Sequence, residues 1–231
     1  MGVTTVNSAK PIYPQQSHPW LELDLSKEVV QHLWKCVEKG EEKGESYKHG
    51  LAGNISTSFK IDDEDEYFAN EILRPLCGKY EEHVPDHLRD ENPSIAVTKE
   101  GKPLMATARR LVYKDFWANY QYKHEFNPAH HHSGVYSFVV WLKIPYDCDE
   151  QCKLPFLNGI GDDQKTPGLF YFEYVNIYGD IVQTRYKLNP SYEGKMLLFP
   201  SKLRHGVNPF YATDEKRVSL SGNLEFMYRF E

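Results

Sequence analysis

The chain reads as a mainly β protein, a sandwich or barrel with N-terminal helices packed on one sheet. Apolar residues recur at helical spacing only in the first third of the chain. From about residue 94 the period changes to two, and Tyr, Phe, Val and Trp dominate. No helical pattern interrupts the later strands. Short strands in such succession form a sandwich or barrel.

The elements follow in order. Residues 1–20, with Pro11, Pro14 and Pro19, read as an extended arm. Ser26 is placed to N-cap a helix whose stripe is Val29, Val30, Leu33, Trp34 and Val37. That predicts a helix over 27–39, ended near Gly40. A second helix is predicted over 64–83, with Tyr67, Phe68, Ile72 and Leu76 inward and a kink or split at Pro75. The run Asp62-Asp63-Glu64-Asp65-Glu66 reads as its solvated start, with a cation site as the lesser alternative. Strands are expected in 108–123, 133–144, 168–176, 179–188, 194–200 and 216–230, with a tight turn at Tyr178-Gly179-Asp180. Residues 145–167 exceed an ordinary connection. They suggest a mobile lid over the pocket or a surface insertion. At 231 residues the chain fits one domain: 1–93 the arm and supporting helices, 94–231 the β core.

Composition removes several function classes. The net charge is −6 and no Lys/Arg stripe appears, so a nucleic-acid backbone is not expected as partner. No apolar run approaches the ~20 residues of a membrane span. The first residues lack the apolar stretch of a secretory signal. Four cysteines are too few for a disulfide scaffold, and Cys148 and Cys152 have no further ligands at zinc-site spacing. A reducing, cytoplasmic compartment fits this usage.

Three motifs carry chemistry. His130, His131 and His132 are consecutive, and 130 and 132 point to one side of an extended chain, where they can share a divalent metal. His205 follows the apolar strand Gly194–Pro200 and is flanked by turn residues, so it can reach into a barrel mouth. Arg217 and Ser219 then share one face of an apolar strand. A buried Arg needs an anionic partner, and a guanidinium beside a hydroxyl suits a carboxylate. Taken singly, each motif has a plain structural alternative: a polar turn, a capping histidine, an internal ion pair. Their order is more specific than any one of them.

With Trp117, Asn119, Tyr120, the run Asn127-Pro128-Ala129-His130-His131-His132-Ser133-Gly134, Leu198-Phe199-Pro200, His205-Gly206-Val207 and Arg217-Val218-Ser219, residues 108–231 resemble the Fe(II)- and 2-oxoglutarate-dependent oxygenases. The prolyl-hydroxylase-like branch, and oxygenases carried by marine phages, are the nearest in kind. The resemblance implies a double-stranded β-helix (jelly roll) and release of succinate and CO2 as a C–H bond is hydroxylated, with ascorbate as an accompanying reductant. It implies metal ligation by His130, His132 and His205, a co-substrate clamp of Arg217 and Ser219, and a hydrogen bond from Tyr120 to 2-oxoglutarate. The prime substrate is a peptide side chain or a small molecule, and the compartment the cytoplasm, of the host if phage-encoded. The sequence departs from the family at His132, where a carboxylate is usual. Three imidazoles leave the same coordination positions open. Glu125 or Glu173 is an alternative source of the missing carboxylate.

Two rivals remain. Gly194, Pro200 and His205 also resemble the second motif of the cupins, which suggests a three-histidine dioxygenase or isomerase without 2-oxoglutarate. A non-enzymatic jelly-roll binding module is the other. The first gives Arg217 and Ser219 no role, and the second leaves three inward histidines without a metal.

Overall fold

The computed structural model describes residues 20–83, 96–97, 103–104 and 106–230. The proline-bearing arm and residues 84–93 of the N-terminal part lie outside them.

The chain begins with strand β1 (Leu21–Asp24) and helix α1 (Lys27–Lys43). The Ser26 side chain accepts the Val29 N–H and caps α1. The helix runs four residues past its expected end. Gly40 lies inside it, and a Cβ there would meet Ile61 Cγ2 at 2.5 Å and the Lys60 carbonyl at 2.8 Å. Gly40 therefore lets α1 approach the sheet, and the stop belongs to Gly44, at φ +65°.

After β2 (Thr57–Lys60), the predicted second helix is broken into pieces. A 3₁₀ turn (Glu64–Glu66) and a π-helical turn (Ala69–Leu73) lead into α2 (Arg74–His83). Pro75 follows the π turn, whose wider ring absorbs the irregularity. The acidic run is not uniformly solvated. Asp63 turns inward, and its carboxylate accepts from the Phe68 and Ala69 N–H groups and from Tyr113 Oη.

The remaining strands are β3 (Ala96–Val97), β4 (Pro103–Leu104), β5 (Ala106–Gln121), β6 (Asn127–His130), β7 (Tyr136–Lys143), β8 (Phe170–Val175), β9 (Ile181–Tyr186), β10 (Lys195–Pro200), β11 (Arg204–Val207) and β12 (Arg217–Phe230). A short helix, α3 (Cys148–Gln151), lies between β7 and β8. Six strands form one sheet in the order β1-β10-β7-β12-β5-β2, and four form another, β6-β11-β8-β9. From β5 onward the chain passes repeatedly from one sheet to the other, and every pairing is antiparallel. This is the double-stranded β-helix.

The two faces of the larger sheet bury different cores. Ala118, Tyr120, Val140, Leu198, Val218 and Leu220 face the helices with Val29, Leu33 and Phe68. Their neighbours Val139, Trp141, Leu197 and Phe199 face the smaller sheet with Phe170, Phe172 and Val207. The site lies in this second interior.

Residues 145–167 are anchored, contrary to the expected loose lid. Tyr146, Cys148, Gln151 and Leu157 are buried. The Gln151 side-chain carbonyl accepts from the Tyr211 and Ala212 N–H groups, and Tyr146 stacks on Phe210. Further bonds, from the Cys148 N–H to the Leu188 carbonyl and from the Asn208 side chain to the Thr166 carbonyl, also hold this length of loop, which lacks sheet partners. All four cysteines are free, and among the described residues no helix is long and apolar enough to cross a membrane.

Candidate active site

His130 ends β6 and His205 lies on β11, and the two are direct cross-strand partners. Opposed residues in a ladder project to the same face, so their rings meet at 4.5 Å between centroids. His132 lies just beyond β6, where its backbone N–H donates to the Ser201 carbonyl at 2.8 Å. That bond turns the chain and brings His132 Nε2 to 3.2 Å from His205 Nε2. One ligand nitrogen from each of the three rings lies within 4.8 Å of the other two. His131, between them, is exposed.

The Nδ1 atoms of His130 and His205 face the carbonyls of Pro128 (2.8 Å) and Leu203 (3.0 Å). A carbonyl can only accept, so each Nδ1 carries the proton and each Nε2 presents a lone pair. Burial holds all three rings neutral. It lowers His130 and, with help from His130 and His131, drops His132 to about 3. His205 lies far below its usual value for the same reason. Neutral imidazole is the metal-binding form.

Glu125 and Glu173 do not complete the cluster. Glu125 accepts from the Ser56 and Tyr122 N–H groups. Glu173 is paired with Arg204 on the neighbouring strand. Among the described residues the ligand set is three histidines without a carboxylate.

The cavity beside the histidines is lined by Trp117, Asn119, Trp141, Arg217 and Ser219 among others. Arg217 and Ser219 are both buried. Arg217 Nη1 donates to Tyr146 Oη at 3.3 Å, and its Nε has no partner. Among the described residues no carboxylate pairs with it. Asn119 Oδ1 and the indole nitrogens of Trp117 and Trp141 are also buried without partners.

Tyr120 does not reach this cavity. It pairs with Val218 across the ladder and lies on the helix-facing side. Its hydroxyl donates to Glu41 Oε2 at 2.6 Å. Strand parity is the reason: Gln121, Asn119 and Trp117 oppose Arg217, Ser219 and Ser221 and share their face, whereas residue 120 points the other way. The same register, applied to Arg217 and Ser219, would have singled out Trp117 and Asn119. Trp141 opposes Ser219 at the end of the unbroken register that starts with Leu224 opposite Tyr136, and the bulge lies beyond it, between Ser219 and Val218.

Residues 115–223 match the family model described as "Putative 2OG-Fe(II) oxygenase". Over these residues the chain is similar to the 2OG-Fe(II) oxygenases. Among solved structures, a prolyl-4-hydroxylase from Pseudomonas putida is similar at 14% identity, with a TM-score of 0.49 over 93% of this chain and 94% of that one. A prolyl hydroxylase from Trichoplax adhaerens, solved with a peptide fragment of the hypoxia inducible factor oxygen degradation domain, is similar at 15% identity, with a TM-score of 0.44 over 92% and 84%. No curated protein matches the chain in sequence.

This similarity implies Fe(II) and 2-oxoglutarate, and the residues fit both. One nitrogen of each of the three neutral imidazoles lies within 4.8 Å of the other two. Cis ligands of an octahedral ion with bonds of about 2.0–2.2 Å lie roughly 3 Å apart, close to the separation between His132 and His205. Beside them a buried guanidinium lacks an anion, and 2-oxoglutarate carries two carboxylates.

Proposed function

We propose that the chain is an Fe(II)- and 2-oxoglutarate-dependent hydroxylase in which His130, His132 and His205 hold the metal. The observation that carries this is the buried Arg217, which has no carboxylate partner among the described residues and whose Nε has no hydrogen bond, in the same cavity as the three imidazoles. A buried guanidinium without an anion costs free energy unless a ligand supplies one.

Arg217 and Ser219 grip the distal carboxylate of the co-substrate, and Tyr146 fixes the guanidinium plane through Nη1. Asn119, Trp117 and Trp141 offer hydrogen-bonding atoms to the rest of the co-substrate and to waters that accompany it. The aromatic wall of Phe170, Phe172 and Phe199 around His205 excludes bulk water. When bound, iron, 2-oxoglutarate and dioxygen would supply the oxidising chemistry that hydroxylates a C–H bond, one oxygen atom entering the product and the other succinate as CO2 is released. The prime substrate is a peptide side chain or a small molecule, residues 1–231 act as one domain, and ascorbate keeps the metal reduced.

The test is turnover without prime substrate. The protein, Fe(II), ascorbate and 2-oxoglutarate are mixed in air and succinate is measured. Succinate above the metal-free control is expected. Its absence, with Fe(II) bound, would favour the three-histidine dioxygenase that uses no 2-oxoglutarate.

A further inference from the structure

A second cluster of metal-binding side chains lies on the other side of the larger sheet. His32 and Cys36 are one turn apart on α1 and share its inward face. Asp63, from the segment that follows β2, closes the group. His32 Nε2 is 2.9 Å from Asp63 Oδ1, and Cys36 Sγ is 3.5 Å from His32 Nε2. One ligand atom from each of the three lies within 4.8 Å of the other two.

The carboxylate is unusually well held. The Asp63 side chain is 1% exposed. It accepts from the Phe68 and Ala69 N–H groups at 3.0 and 2.8 Å and from Tyr113 Oη at 2.9 Å. Cys36 is buried, while His32 faces a cleft bordered by Lys35, Lys39, Asp62, Glu64 and Tyr67.

We propose that His32, Cys36 and Asp63 form a structural divalent-metal site for zinc, separate from the three-histidine centre. Imidazole, thiolate and carboxylate are the donor types that zinc takes, and tetrahedral bonds of about 2.0–2.3 Å place donors roughly 3.3–3.6 Å apart. The sulfur-to-nitrogen distance already fits. The His32–Asp63 contact is a hydrogen bond that the ion replaces, opening by a few tenths of an ångström. The bonds to Tyr113 and two backbone N–H groups orient the carboxylate as outer partners of a ligand do. The fourth position opens to the cleft and takes water. A dication balances the carboxylate and thiolate, and it ties α1 to the turn that leads into the π-helical segment and α2.

Cobalt(II) separates this site from the other, because the three-histidine centre has no sulfur. Metal-free protein is titrated with cobalt(II) under anaerobic, reducing conditions and its near-ultraviolet spectrum is recorded. The expected result is a thiolate-to-cobalt charge-transfer band that saturates within two equivalents, the other equivalent going to the three-histidine centre without a sulfur band. It is lost in Cys36→Ser and kept when Cys148 and Cys152 are both changed to Ser. Zinc is then expected to raise the Tm of the parent more than that of His32→Gln, each checked for fold by circular dichroism. No sulfur-to-cobalt band in the parent, or an undiminished band in Cys36→Ser, overturns the site. Equal zinc stabilisation of parent and His32→Gln overturns it as well, and covers the case in which Cys36→Ser does not fold.

Discussion

His130 on β6 and His205 on β11 are direct partners in an antiparallel ladder, with ring centroids 4.5 Å apart. The proposed metal centre is thus built into the sheet, and only His132 depends on the turn that follows β6. Hydrogen bonds to Pro128 and Leu203 orient the first two rings, whereas His132 has its backbone bond to Ser201.

His132→Asp is the substitution that restores the donor usual in the superfamily. The backbone bond to Ser201 does not involve the side chain. Succinate formation is expected to be retained or to rise, while His132→Ala is expected to lose Fe(II) affinity. A dead, metal-free Asp variant would show that imidazole length is required at this position.

Arg217→Ala is expected to weaken 2-oxoglutarate far more than Fe(II). A charge-assisted bond of on the order of 1.5–3 kcal/mol corresponds to a rise of roughly 10- to 150-fold in KM for the co-substrate. Measured at limiting 2-oxoglutarate, equal rates for mutant and parent would rule out the clamp.

Tyr120→Phe removes a hydroxyl bonded to Glu41 on α1, not one in the cavity. The KM for 2-oxoglutarate is expected to stay unchanged and stability to fall by about 1 kcal/mol. Denaturant unfolding and kinetics on the same sample separate the two effects. A raised KM with unaltered stability would place Tyr120 at the co-substrate after all.

Metal-free protein is expected to lose stability as the pH falls below about 6.5. In the unfolded chain each imidazole takes up a proton near that pH. In the fold His132 does so only near 3, and burial lowers His130 and His205 too. Between these limits the unfolded state holds more protons, so stability is full above the unfolded value and declines below it. The decline in Tm is expected to be shallower in His132→Asn. Identical profiles for the two proteins would exclude His132 as a cause.

Gly40→Ala sets two effects against each other. Helix propensity favours Ala by about 1 kcal/mol. The added Cβ, however, would meet Ile61 and the Lys60 carbonyl at 2.5 and 2.8 Å. Overpacking of this kind costs about 1–3 kcal/mol, so a net loss in urea unfolding is expected. A more stable variant would show that α1 can lift from the sheet.

By itself the sequence determined the class of fold and marked the residues of the proposed site, because both are written locally. Period-two runs specify strands, and two histidines, a third after an apolar strand, and an Arg-x-Ser pair mark candidate donors and a candidate clamp. Ser26 and the stripe from Val29 to Val37 located α1 for the same reason. Only the tertiary structure decided what depends on register and on contacts between distant segments. The parity of β5 against β12 sent Tyr120 to the helices and brought Trp117 and Asn119 to the cavity. The register of β7 against β12 put Trp141 opposite Ser219. Asp63 became a buried acceptor because Tyr113, fifty residues away, supplies one of its donors. Gly40 looked like a helix stop until Ile61 and Lys60 were seen against it. Local propensity acts over a few residues, whereas these outcomes were settled by hydrogen bonds and packing across the whole chain.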